Sequence, residues 1–369
     1  MKALANQVTK ILSCITSEEA KTIANARRWH MVSVYSAAHF FVEFACAFLM
    51  FRSISVTSDW LLCVLIYNFC AFAMQMPLGI LADKLNRNYL LAVVGCVLVG
   101  VAYALIHIPI VAAIVAGTGN ALFHLGGGID VLNISEKRSA ALGVFAAPGD
   151  WGIYFGTIAG MGSSLSAAPA LAGLAAAAGL IVAVYRAQGG TYPKNAAFSP
   201  YNGAPFPMLP AVVCLFLVVC LRSYVGLTVA FPWENTAHWG LALVCAVALG
   251  KAAGGFAADR FGMAGATFFS LTVAAPLFFF PQMPLPGITA MFLFNMTMPV
   301  TLWAMVRIFP WAKGFSFGLL SFASFIGFLP AYLGFNVPFN TSWPFALAAV
   351  ASLVLLGAGL RKAKLWPGR

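Results

Sequence analysis

Twelve apolar runs, each about as long as a lipid bilayer is thick, constrain this chain more than any other feature. A membrane-spanning helix needs about 20 predominantly apolar residues. Such runs occur at roughly 30–51, 60–81, 89–107, 109–131, 139–161, 167–184, 207–231, 237–257, 263–280, 287–306, 314–333 and 343–360. Little between them suits water. Only 8% of the 369 residues are charged and 62% are hydrophobic, where an ordinary soluble domain carries about 25% charged residues. In hydrocarbon every backbone N–H and C=O must be paired within the segment, so runs of this length are expected to be α-helices. The expected class is an all-α membrane protein with twelve transmembrane helices.

The net charge of +11 would suggest nucleic acid in a soluble protein. Here the basic residues sit in short loops at regular intervals, which is a topology signal instead, so no nucleic-acid partner is expected. With the N-terminus in the cytoplasm, the inner side collects Lys84 and Arg87, Lys137 and Arg138, Arg186 and Lys194, Lys251 and Arg260, Arg307 and Lys313, then Arg361, Lys362, Lys364 and Arg369. Together with five from the N-terminal segment these are 19 of the 21 Lys and Arg residues, the exceptions being Arg52 and Arg222. An even number of spans with both termini inside follows, in a plasma (inner) membrane. Residues 1–29 read as a cytoplasmic segment and not as a cleavable signal peptide. Val8, Ile11, Leu12 and Ile15 recur at helical spacing, and Thr16 with Glu19 forms a capping box that opens a second short helix. This segment either lies on the inner membrane surface, held by Lys2, Lys10, Arg27 and Arg28, or is a disordered tail. Eight scattered cysteines form no CxxC pair and read as packing residues, so neither a disulfide framework nor a metal site is expected.

One short charged turn occurs twice. Gly79, Asp83, Lys84 and Arg87 follow the second span, and Gly255, Asp259, Arg260 and Gly262 follow the eighth, 176 residues on. A shift of 176 also lays span 1 on span 7. Residues 30–184 and 207–369 therefore read as two six-helix bundles, the second with a short cytoplasmic tail, joined by a Gly-, Pro-, Asn- and Ser-rich cytoplasmic linker at 185–206. Gly152, Gly156 and Gly160 in span 5, and Gly314 and Gly318 in span 11, repeat at the four-residue spacing of close helix packing.

The Gly-x-x-x-Asp-Lys/Arg turn, in two copies within a twelve-span chain, resembles the signature loop of the major facilitator superfamily. That resemblance implies two pseudo-symmetric six-helix bundles and a secondary transporter working by alternating access. A narrower resemblance is to the fosmidomycin-resistance type of exporter. It rests on Ser36-x-x-His39-x-x-x-Glu43, on the run Gly117 to His124, and on Leu221-Arg222-Ser223-Tyr224. After Phe123-His124 the exporters have Pro and a carboxylate, whereas this chain has Leu125-Gly126. The resemblance implies proton-coupled efflux of a small organic solute by antiport. The alternative is proton-coupled uptake of a small organic anion by symport. A soft-metal (copper) transporter and a non-transporting receptor or scaffold are further readings.

Ionisable groups inside a span are costly and so are functional candidates. His39, Glu43, His124, Asp150 and Arg222 all fall near mid-membrane. His39 and Glu43 share a helix face and suit proton coupling or a structural pair. Asn120 shares a face with His124, and Tyr154 with Asp150. Asp150 is a second proton carrier, or it pairs with Arg222 or His124. Arg222, read as the only intramembrane basic residue of the second half, offers a planar donor fork to an anionic or zwitterionic solute, unless it is paired with Glu43 or Asp150. Tyr224, Asn295 and Trp303 are further cavity candidates. Met291, Met296, Met298 and Met305 raise soft-metal transport against plain packing. Asp83 and Asp259 are placed to meet helix N-termini and close the cytoplasmic side, with Gly79, Lys84, Arg87, Gly255 and Arg260 as the rest of that gate. No P-loop, GxSxG or HExxH motif is present, so neither an enzyme nor a cofactor is expected. The expected partners are a small solute, protons and the lipid bilayer, with the chain acting as a monomer.

Overall fold

A computed structural model describes residues 2–135, 138–162, 165–189, 208–335 and 342–365, with side chains described from residue 25 onward except at 237. Most of the expected linker, together with Lys137, Lys194 and Arg369, lies outside the described residues. Within them every regular element is a helix: α1 (Lys2–Leu49), α2 (Trp60–Asn68), α3 (Gln75–Leu85), α4 (Asn88–Ala102), α5 (Pro109–Ser135), α6 (Ala140–Met161), α7 (Ala168–Ala187), α8 (Leu209–Thr228), α9 (Ala237–Leu277), α10 (Pro284–Asn295), α11 (Thr297–Ile308), α12 (Lys313–Tyr332) and α13 (Trp343–Lys362).

Among the described residues, ten segments are long and apolar enough to cross a membrane. The segment His238–Leu277 holds two of the expected spans, separated where Gly262 leaves helical geometry at φ 82° and ψ 154°. The 22-residue α6 covers the remaining expected span, and it is not one of those ten. The N-terminal expectation is corrected. No second helix opens at Thr16, because α1 runs unbroken from Lys2 to Leu49.

In both copies of the repeated turn the helix stops at a residue of positive φ. Three residues after Asp83, Asn86 closes α3 in the left-handed helical region at φ 51° and ψ 40°; three residues after Asp259, Gly262 interrupts α9 at φ 82° and ψ 154°. Asparagine enters the left-handed helical region at little cost, and the second conformation is one that essentially only glycine adopts.

Three spans contain irregular stretches. A π-turn over Phe69–Ala73 joins α2 to α3, and another over Met50–Ile54 follows α1. Span 10 breaks at Met296, between α10 and α11. Pro299 accounts for that break, because it has no N–H to return to the carbonyl of Asn295. The Asn295 amide donates instead to the carbonyl of Met291 at 2.9 Å.

Large side chains such as Val97, Phe268 and Phe269 stand exposed on the outside, where lipid solvates them. Lipid tails are as apolar as leucine, so close packing, not the hydrophobic effect, must hold the helices to one another. Helix α1 packs on α6, α7 and α5, and α4 on α5 and α7; α8 packs on α12 and α13, and α9 on α10, α11 and α13. The two groups meet through α3 with α12 and α6 with α9. Glycines set the tightest approach: Gly152 and Gly156 of α6 lie against the carbonyls of Phe40 and Phe44 of α1, leaving no room for a Cβ.

Gly156→Leu is therefore expected to cost about 1–3 kcal/mol through overpacking. A thermal scan of the detergent-solubilised protein would show it as a lowered Tm. Gly179→Leu, where nothing lies within 4 Å of the added carbon, serves as the control and should leave Tm unchanged.

Candidate functional site

A cavity of about 460 Å³ lies between the two helix groups, lined from both. Its walls are apolar at Phe72, Phe145, Val219, Leu320 and Phe328, and its polar groups are His39, Glu43, Gln75, His124, Asp150, Arg222, Ser223, Lys251, Asn295, Thr301, Ser321 and Ser324. The irregular stretches of spans 2 and 10 end at this level, so Phe72 and Gln75 on one side and Asn295, Met298 and Thr301 on the other reach the cavity.

One cluster is built on α1 and α5. His39 Nδ1 lies 2.8 Å from the carbonyl of Phe145, and His124 Nδ1 lies 2.9 Å from the carbonyl of Asn120. A carbonyl only accepts, which assigns the ring hydrogen to Nδ1 in both residues. Both Nε2 atoms then present lone pairs, and they face each other at 2.8 Å. Glu43 Oε1 stands 3.3 Å from His124 Nε2 and 3.8 Å from His39 Nε2. Asn120 donates to that oxygen at 3.1 Å. Three acceptors converging in a buried place are held together only by a cation among them, a proton or a metal ion.

A second pair crosses between the halves. Lys251 Nζ of α9 donates to Asp150 Oδ1 of α6 at 2.7 Å, while Asp150 Oδ2 is buried without a hydrogen-bond partner among the described residues. Two expectations are corrected here. Lys251 is not a loop residue of the inner side, and Arg222 is not the only intramembrane basic residue of the second half. Lys251 sits within the span His238–Leu277 and lines the cavity. Asp150 pairs with it, and not with Arg222 or His124. Arg222 donates to Thr301 Oγ1 at 3.3 Å. Among the described residues no carboxylate lies within 4.0 Å of its guanidinium.

Both aspartates of the repeated turn reach the other half. Asp83 accepts from the backbone N–H groups of Gly314 at 2.8 Å and Phe315 at 2.9 Å, at the N-terminus of α12. Asp259 accepts from those of Ser139 at 2.6 Å and Ala140 at 3.1 Å, at the N-terminus of α6. A carboxylate at a helix N-terminus is stabilising by up to about 2 kcal/mol where partly buried. Gly79 meets Gly314, and a Cβ on Gly255 would fall 2.7 Å from Ala140 Cα, so the glycines of the turns are among the places where the halves touch. Lys84, Arg87 and Arg260 are exposed around this end, Arg260 over the ring of Phe261 at 5.7 Å.

Other expected site residues stand apart from the cavity. Tyr224 Oη donates to the carbonyl of Phe335, and Trp303 lies under Arg307 at 4.8 Å. Their neighbours Ser223 and Leu302 take the lining positions, because one residue along a helix turns the side chain by about 100°. Tyr154 packs on Phe155, and Ile153 lines the cavity in its place. Asn120 is buried behind Glu43. Sequence reasoning missed Lys251, which lies well inside an apolar run, and Asp130. Asp130 falls near the end of span 4 and accepts from Tyr35 Oη at 2.6 Å and Asn88 Nδ2 at 2.8 Å.

No family model matches the sequence, and no curated protein matches it, so the narrower resemblance to fosmidomycin-resistance exporters finds no support there. Solved structures do match. A point variant of the E. coli fucose:proton symporter FucP is similar with a TM-score of 0.57 at 12% identity, over 88% of this chain and 97% of that one. A second structure, a major facilitator superfamily transporter, FucP, in the outward conformation, is similar with a TM-score of 0.58 at 13% identity, over 92% of this chain and 100% of that one. The fold is thus that of the major facilitator transporters.

Removing both carboxylates, Asp83→Ala with Asp259→Ala, should loosen the end of the bundle that carries the charged turns. Spin labels on the facing ends of α3 and α12 would then report a longer and broader distance distribution than in the wild type. An unchanged distribution would show that glycine packing alone closes this end.

Proposed function

We propose that this protein is a secondary transporter that takes up a small organic anion together with protons, by alternating access of the two halves. The observation that carries the reading is Arg222. A guanidinium in the membrane interior costs about 2.5–3.5 kcal/mol or more unless it is compensated, and here it faces a cavity with a hydroxyl for its nearest partner. A carboxylate or phosphonate of the solute would supply the missing charge through the bidentate fork.

Asp150 is the proton carrier in this reading. Its Oδ1 holds Lys251 and its Oδ2 is free to take a proton. Without cargo, Arg222, Lys251 and Asp150 sum to one positive charge. A proton alone makes two, which is unfavourable in a buried site. An anion alone leaves the Lys251–Asp150 bridge locked across α6 and α9. Proton and anion together restore the single charge and free the bridge, so each favours the other, as symport requires.

The charged turns are the gate. The positive-inside pattern puts them in the cytoplasm, so a bundle closed at that end faces outward, with domains at 30–184 and 207–369 rocking about the linker at 185–206. The similar structures are of a fucose:proton symporter and of FucP in the outward conformation, which supports uptake over the efflux implied by the exporter resemblance. The multi-pass placement with both termini in the cytoplasm, in the plasma membrane and as a monomer, belongs to the same proposal.

Proteoliposomes loaded at neutral pH and diluted into an acidic mixture of small carboxylates, phosphonates, amines and sugars test this. The wild type should accumulate one or a few anions. Arg222→Gln should reduce uptake at least about tenfold, the scale of one lost charge-assisted contact. Asp150→Asn should retain exchange of labelled anion while losing accumulation driven by the pH gradient. Accumulation of an uncharged or cationic solute, unaffected by Arg222→Gln, would overturn the reading.

A further inference from the structure

We propose that His39, Glu43 and His124 form a binding site for a divalent transition-metal cation, with Zn²⁺ as the reference ion. The inference stands apart from the anion reading and uses neither Arg222 nor Asp150.

Geometry carries it. The two Nε2 atoms and the carboxylate oxygen lie within 4.8 Å of one another. Their separations of 2.8, 3.3 and 3.8 Å average about 3.3 Å. A tetrahedral zinc with bonds of about 2.0–2.1 Å sets its ligand atoms about 3.3–3.4 Å apart. The three ligands already occupy one face of such a tetrahedron, and shifts of about half an ångström would regularise it.

The surroundings match a metal site as well. Metal-ligating imidazoles donate their other ring N–H to a backbone carbonyl or carboxylate, which fixes the tautomer and aims the lone pair. Both histidines do this, toward Phe145 and Asn120. The ligating carboxylate oxygen accepts from Asn120 Nδ2, a further outer contact. Glu43 and His39 are buried, so no water competes for their lone pairs from behind. All three ligands line the cavity, which leaves the fourth position for water or solute.

The donor set fixes the class of ion. Two imidazoles and a carboxylate suit Zn²⁺, Co²⁺, Ni²⁺, Mn²⁺ or Fe²⁺, whereas Cu(I) prefers sulfur and Ca²⁺ and Mg²⁺ prefer oxygen alone. The cavity methionines Met291 and Met298 belong to the other half and contribute nothing to this set. Because α1 and α5 lie in the same half, the site needs no closure of the bundle to be complete.

The test is direct metal binding by the full chain, purified in detergent without a polyhistidine tag. A chromophoric chelator competing for Zn²⁺ should reveal one site per chain. Co²⁺ should give the intense visible absorption of a low-coordinate nitrogen and oxygen site. His39→Gln, His124→Gln and Glu43→Gln should each weaken binding about 100-fold or more, and Asn120→Ala about 10-fold, as an outer partner does. Glu43→Gln is close to isosteric, so its elution as a monodisperse peak separates loss of a ligand from loss of fold. No stoichiometric Zn²⁺, or binding that survives Glu43→Gln and His124→Gln in folded protein, would overturn the proposal and leave a proton in the gap. Neither result bears on anion uptake, which is measured without added metal.

Discussion

A charge inside a membrane must find an opposite charge or a set of hydrogen bonds, and this structure is organised by how each buried charge does so. Asp83 and Asp259 are met by backbone N–H groups at helix N-termini of the opposite half. Asp130 is met by Tyr35 and Asn88 within its own half. Asp150 is met by Lys251 across the cavity. Two places are left open. Arg222 has a hydroxyl where a carboxylate belongs, and the His39–Glu43–His124 cluster has three lone-pair donors where a cation belongs. The settled charges hold the fold, and the unsettled ones are where cargo or ions are proposed to bind.

The same compensation joins the two halves. Small residues let α3 reach α12 and let α6 reach α9, and at the charged turns they put Gly79 beside Gly314 and Gly255 beside Ala140. Each close approach brings an aspartate within hydrogen-bond distance of backbone that an ordinary side chain would have kept away. The glycine and the aspartate of the repeated turn are thus parts of one contact, made twice. Carboxylate caps of this kind are worth a few kcal/mol at most, strong enough to favour one state and weak enough to be overcome when the solute binds.

Much of this was legible in the sequence, and the reasons differ by feature. Twelve spans follow from run length and scarce charge alone, and the repeated turn announced two related halves. Depth along a helix can be counted, which placed His39, Glu43, His124, Asp150 and Arg222 at one level. Rotation about the helix cannot be counted so well through π-turns and proline breaks. Trp303 follows such a break and Tyr224 sits in the regular helix α8, and in both places the neighbouring residue, Leu302 or Ser223, takes the lining position. Pairing was not legible at all. The positive-inside pattern counts Lys251 among the inner-side cations although it lies inside the run 237–257, and only the packing of α6 on α9 shows that it pairs with Asp150. The metal set was equally hidden, because His124 is 85 residues from His39 and no spacing rule joins them.

In the proposed symport, anion and proton move together, in the same direction. A pH-sensitive dye trapped inside proteoliposomes, with equal pH on both sides at the start, tests it most directly. Adding the transported anion outside should acidify the lumen, and Asp150→Asn should abolish the acidification while labelled anion still exchanges. Alkalinisation of the lumen on adding the solute would contradict the account and indicate antiport, and a solute that enters with no pH change would contradict proton coupling altogether.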